Sequence, residues 1–205
     1  MNKKYISYML IILIIVENAF TQSIITKTYN VDKTLANWTR EKMLNAKTLH
    51  PPNKEFKVRN KAINSGEKDT ISSDPVNAES EVNAPFSVGI KSEFEVNTPL
   101  PLGKLFFTLF NEDHSCTASI ITTDDGNAGI TAAHCLYSHG EYSNNIMFCP
   151  GYDNGTESFL GRIAVAKTSM LDTFINSLDE DYGGLKFDFN GSLQSTAGSF
   201  GWCIN

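Results

Sequence analysis

His134 is the residue whose type and setting point most directly to chemistry. It follows Ile130-Thr131-Ala132-Ala133 and precedes Cys135, at the end of an expected strand, Ala128–Ala132. An imidazole titrates near neutrality, so it can take up and return a proton at physiological pH. As a general base it needs a carboxylate to hold one ring nitrogen protonated and a nucleophile facing the other. Asp181 stands 47 residues on, in Asp179-Glu180-Asp181-Tyr182-Gly183, just ahead of another expected strand. It is one candidate for the carboxylate, with Asp179 and Asp172 as alternatives. The later serines are Ser192, Ser195 and Ser199. None has a glycine two before it and another one after it, the frame that sets a hydroxyl beside backbone N–H donors for an oxyanion.

Other chemistries find little support. The sequence holds no His-Glu-x-x-His, no Cys-x-x-Cys and no Walker-type phosphate loop. No cofactor and no metal are expected, and His114 and His139 are expected at the surface. The net charge of −6 gives no nucleic-acid signal.

Elements that would position these residues begin at Leu102. Short apolar or alternating runs separated by turn residues indicate an all-β domain. Expected strands are Lys104–Phe110, Thr117–Thr122, Ala128–Ala132, Asn145–Phe148, Phe159–Lys167 and Gly183–Phe187. Asp124-Asp125-Gly126-Asn127 reads as the hairpin turn joining the second and third. Such spacing suits a Greek-key barrel or a sandwich.

The N-terminal half has another texture. Lys3 and Lys4 precede an apolar run, Met9 to Val16, followed by the small residues Ala19, Thr21 and Ser23. This is the pattern of a secretory signal over residues 1–22, cleaved near Thr21–Ser23. A secreted, extracellular protein with no membrane association after cleavage is therefore expected. Secretion implies an oxidising compartment in which Cys116, Cys135, Cys149 and Cys203 can pair, and the sequence alone leaves three full pairings open. Asn37, Asn154 and Asn190 head glycosylation triplets. Residues 24–63 carry nine Lys/Arg against three Asp/Glu, whereas residues 101–205 carry four against twelve. One helix is expected from Thr34 as N-cap through Lys47, ended by Pro51-Pro52. Residues 64–85 read as a linker.

Several of these segments together resemble the trypsin/chymotrypsin clan of serine endopeptidases. They are Ser115-Cys116-Thr117-Ala118-Ser119, Thr131-Ala132-Ala133-His134-Cys135, Asp181-Tyr182-Gly183 and Gly198-Ser199-Phe200-Gly201-Trp202. Trp38-Thr39-Arg40-Glu41-Lys42-Met43-Leu44-Asn45-Ala46-Lys47 is similar to a motif in pro-regions of secreted bacterial and fungal members. The resemblance implies a chymotrypsin-like Greek-key β-barrel over residues 101–205 holding only the start of a second barrel. It implies His134 and Asp181 as catalytic base and orienting acid, and a disulfide between Cys116 and Cys135. Residues 23–100 would be pro-region and linker, with the mature domain beginning near Pro99–Phe107. The trypsin branch's Ile-Val-Gly-Gly is missing, and Pro99-Leu100-Pro101-Leu102-Gly103-Lys104-Leu105-Phe106-Phe107 more closely resembles the bacterial and fungal glutamyl-endopeptidase-like branch. Substrates would be proteins or peptides, and the pro-region would be a partner of the body. With no serine element after His134, the chain reads as the front part of such a protease, inactive as given. The competing reading is a secreted pseudoprotease acting as a non-catalytic binding module.

Overall fold

A computed structural model describes residues 23–51, 71–78, 98–177 and 180–204. The expected signal segment, Asp179 and most of the expected linker lie outside the described residues. In chain order the elements begin with β1 (Ile24–Thr28), α1 (Val31–Asn37), α2 (Arg40–Asn45), β2 (Lys47–Thr48) and β3 (Ile71–Ser73). Next come β4 (Leu102–Leu109), β5 (Glu112–Ile121), β6 (Ala128–Thr131), a 3-10 turn (Ala133–Cys135), β7 (Tyr137–Ser138) and β8 (Glu141–Tyr142). β9 (Asn144–Pro150), β10 (Ile163–Leu171), α3 (Asp172–Ser177), β11 (Gly183–Phe187), α4 (Leu193–Ala197) and β12 (Trp202–Ile204) complete the series.

Six strands close on themselves in the order β4-β5-β6-β11-β10-β9, every pairing antiparallel. Closure is completed where Ile163 and Ala164 pair with Phe148 and Met147. The strand beside β6 is β11 rather than the next barrel strand in sequence, β9, which is the Greek-key order. Alternation along each strand divides the side chains. Leu105, Phe107, Leu109, Ile120, Ile146, Phe148, Val165 and Phe187 join one core, while Phe106, Met147 and Cys149 belong to a separate cluster. Gly129 is required by close approach, because a Cβ there would meet the Phe187 ring and the Ser119 carbonyl oxygen, both at 2.6 Å.

Several expected boundaries move, among them the far end of β10, which reaches Leu171 rather than Lys167. β5 starts at Glu112 rather than Thr117 because Phe110 and Asn111, at φ 52° and 59°, make a two-residue hairpin turn that pairs β4 with a polar stretch. β10 starts at Ile163 rather than Phe159. Gly161 adopts φ 61° and its N–H returns to the Ser158 carbonyl, so Phe159 sits exposed in a turn. The single helix expected over Thr34–Lys47 is two. Trp38 is extended (φ −91°, ψ 119°), and Thr39 rather than Thr34 caps the second helix by accepting from the Lys42 N–H at 3.2 Å. Thr34 is buried inside α1, whose cap is Asn30.

Segment 23–51 packs on the barrel. β1 pairs with β10 from Ile24↔Leu171 to Thr28↔Lys167, along the part of β10 that β9 leaves uncovered. β2 pairs in parallel with β5 at His114 and Ser115. Between them Trp38 and Met43 are buried against Phe106, Met147 and Cys149. Among the described residues no helix is long and apolar enough to cross a membrane.

Candidate active site

Strand β6 delivers His134. The chain leaves β6 through extended Ala132 and tightens into the 3-10 turn, with the Cys135 N–H donating to the Ala132 carbonyl (3.1 Å) and the Leu136 N–H to that of Ala133 (2.8 Å). Two bonds hold this turn down. Cys135 is disulfide-linked to Cys116 on β5, with the α-carbons 6.4 Å apart. Fully buried Ser143 donates its hydroxyl to the Cys135 carbonyl at 2.7 Å. His134 itself is only 8% exposed.

Asp181 arrives from the opposite neighbour. β11 pairs with β6 through Gly183↔Thr131, so the residues just before β11 lie beside the residues just after β6. The Asp181 carboxylate accepts twice from His134: Oδ1 from the backbone N–H at 2.8 Å, and Oδ2 from Nδ1 at 2.7 Å. A carboxylate that accepts at Nδ1 fixes the proton there and leaves Nε2 with a lone pair. Burial pushes the Asp181 carboxyl upward, but the bonds from His134 outweigh it and hold the group below the usual aspartate value. Gly183 permits the close fit, since a Cβ there would come within 2.4 Å of Leu136 Cδ1.

The alternative carboxylates are elsewhere. Asp172 opens α3 and accepts from the backbone N–H and the hydroxyl of Ser23. Glu180 accepts from the Thr173 hydroxyl. Asp179 is outside the described residues. The downstream serines are occupied away from His134: Ser192 caps α4, the Ser195 hydroxyl donates to Ser192, and Ser199 shares a bond with Thr122 at 2.8 Å. Among the described residues no side chain hydrogen-bonds Nε2 of His134. Trp202, on β12, donates to the Thr122 carbonyl at 2.7 Å.

His139 is exposed, but the surface expectation for His114 is corrected. Its ring is buried and stacked on Phe107, with centroids 5.9 Å apart, because β2 covers β5 at that point. Cys149 is a buried thiol whose pKa burial raises, and Cys203 is exposed on β12, so the two do not pair with each other. Ligand atoms of Cys116, Cys135 and His134 lie within 4.8 Å of one another, a spacing a metal could use, but the disulfide consumes both sulfurs. Asn154 and Asn190 are exposed, whereas the Nδ2 atom of Asn37 is buried. Sequence reading missed Ser143, because a lone serine before a strand carries no signal until its carbonyl partner is known.

No protein-family model and no curated protein matches the chain. Two solved structures are similar to part of it. One is a thermostable serine protease, AL20, from an extremophilic microorganism, at 27% identity over 47% of this chain and 47% of that chain, with a TM-score of 0.44. The other is the protease Anisep from Arthrobacter nicotinovorans, at 28% identity over 51% of this chain and 50% of that one, with a TM-score of 0.45. The chain spans about half the length of the solved structures it matches.

Proposed function

We propose that this chain carries the general-base half of a secreted serine endopeptidase acting on proteins or peptides. The observation that carries the reading is the pair of hydrogen bonds that the Asp181 carboxylate accepts from His134, at Nδ1 and at the backbone N–H, in a loop pinned by the Cys116–Cys135 disulfide. In this role Nε2 of His134 takes the proton from a serine hydroxyl as it attacks the scissile carbonyl. It then returns the proton to the departing amine, while Asp181 stabilises the transient imidazolium. The Cys116–Cys135 disulfide suits the oxidising compartment that the N-terminal sequence also indicates. The nucleophile and the oxyanion donors are not supplied by Ser192, Ser195 or Ser199.

A fluorophosphonate probe applied to the protein as its source produces it tests this. Covalent labelling of a serine, abolished by His134→Ala, is the expected result. Abundant stable protein that takes no label would favour the binding-module reading instead.

A further inference from the structure

We propose that residues 23–51 are a permanent wall of the barrel rather than a removable pro-region. When the chain connecting Pro51 to Leu102 is cut, the segment stays bound, and the processed protein is a two-piece non-covalent assembly. Three grips carry this. At one end β1 completes the edge of β10 that β9 leaves open, and Ser23 is held by the Asp172 carboxylate. In the middle Trp38, 2% exposed, fills a socket made by Phe106, Met147, Cys149 and Tyr152 on the outer face of the barrel. Its indole N–H donates to the Asn145 carbonyl at 2.6 Å, and its own carbonyl accepts from Arg162 Nη1 at 2.8 Å. Arg162 is itself fixed by Glu157, at 2.6 Å. At the far end β2 lies on β5, and the Leu49 N–H donates to the Ser115 carbonyl at 3.0 Å.

Departure of this segment would uncover Phe106, Met147 and Cys149, each 0% exposed, and open a strand edge on β10. An apolar patch beside an unpaired edge drives association between molecules. A segment built only to be shed would leave the barrel in that state. The grips are also directed away from the candidate site: no residue of 23–51 bonds His134 or Asp181 among the described residues. The segment therefore supports the barrel without plugging the site, and this holds independently of the catalytic reading.

The test uses the full chain with a recognition sequence for a site-specific protease inserted between Asn60 and Lys61, in a Trp202→Phe background so that Trp38 is the only tryptophan. After cutting, the N-terminal piece is expected to co-elute with the barrel in gel filtration and to separate only in denaturant. Trp38 emission is expected to stay blue and shielded from iodide. Trp38→Ala should raise the dissociation constant of the cut piece about a hundredfold or more, as loss of a buried aromatic does. Trp38→Phe, which keeps a ring but loses the bond to Asn145, should fall between and guards against a variant that does not fold. For Trp38→Ala, whose piece is expected to leave, aggregation of the barrel in step with that loss also supports the proposal, whereas loss of the unsubstituted piece under native conditions counts against it. Separate elution of the piece from a barrel that remains monomeric, with unchanged near-ultraviolet circular dichroism, would overturn it.

Discussion

Asp181 does two jobs for His134, and each has its own consequence when removed. Asp181→Asn leaves a neutral amide that can offer an N–H where Nδ1 now donates, so the ring loses its fixed tautomer. Loss of charge-assisted bonds of this kind costs about 1.5–3 kcal/mol, measurable by urea denaturation at pH 7. The acid limb should change as well. The folded-state pKa of Asp181 is depressed, so its contribution is complete above the unfolded value, about 3.9, and is lost as pH falls through the folded value. Wild-type stability should therefore decline more steeply than that of Asp181→Asn below about pH 4. Parallel acid limbs for the two proteins would count against the bond. Gly183→Ala tests the steric part: its new methyl meets Leu136, and overpacking of this kind costs about 1–3 kcal/mol. His134 and Asp181 were singled out through the resemblance of Thr131-Ala132-Ala133-His134-Cys135 and Asp181-Tyr182-Gly183, and the structure brings the two side chains together. Ser143 was not singled out, since its role depends on a carbonyl eight residues away across a turn.

Elements held up where the sequence alternates cleanly and shifted where tertiary contacts overrode local pattern. β6 and β11 begin where alternation places them. β5 reaches back through Glu112, Asp113 and His114 because β4 supplies its partners and β2 covers it. The helix over Thr34–Lys47 broke because burying Trp38 demanded an extended residue, which a helical periodicity cannot show. The disulfide joins β5 to the His134 turn across a separation of 19 residues. Chain-entropy arithmetic gives such a loop about 3 kcal/mol, so the Cys116→Ala/Cys135→Ala double variant should lose that much in thermal or urea unfolding. Retention of full stability would show that Ser143 and the strand pairing suffice alone. Just past β1, Tyr29 is half-buried against the barrel and shares a hydrogen bond with Thr168 at 3.1 Å. Burial is the main cause that pushes its phenol up to about 12. Stability from this neutral phenol is complete below about pH 10 and is lost as pH rises through the folded value. Ultraviolet titration of wild type against Tyr29→Phe should assign one late phenolate to this residue, and a difference spectrum centred near 10 would mean that β1 is not seated.

At the scale of the whole molecule, charge and apolar contact offer rival accounts of how the N-terminal segment sits on the body. The opposition of a basic 24–63 to an acidic 101–205 is visible in the sequence and invites an electrostatic account. The contacts argue otherwise. Lys47–Glu112 (2.9 Å) and Lys42–Asp113 (3.8 Å) are solvent-accessible pairs, and solvent and salt screen such pairs so that they contribute little. Trp38, Met43 and the β1–β10 ladder do more. The segment should therefore remain docked at about 1 M salt, where the screening length is only about 3 Å, and release by salt alone would reverse this ranking. Strand count and spacing left a Greek-key barrel and a sandwich both open, and it was the resemblance that implied the barrel. The seating of residues 23–51 was not foreseeable, because nothing local in a Trp-Thr-Arg-Glu stretch says which face of a distant strand will receive it.

The most direct test of the central claim, that His134 is an oriented base with Nδ1 held by Asp181 and Nε2 left to take a proton, is histidine-ring nitrogen–proton NMR on the full chain. Resonances are assigned by comparison with His134→Gln and Asp181→Asn. A far-downfield, slowly exchanging Nδ1 proton is expected for neutral His134, lost in Asp181→Asn, with Nε2 unprotonated above neutral pH. A His134 ring that carries its proton on Nε2, or an Nδ1 proton unaffected by Asp181→Asn, would contradict the claim.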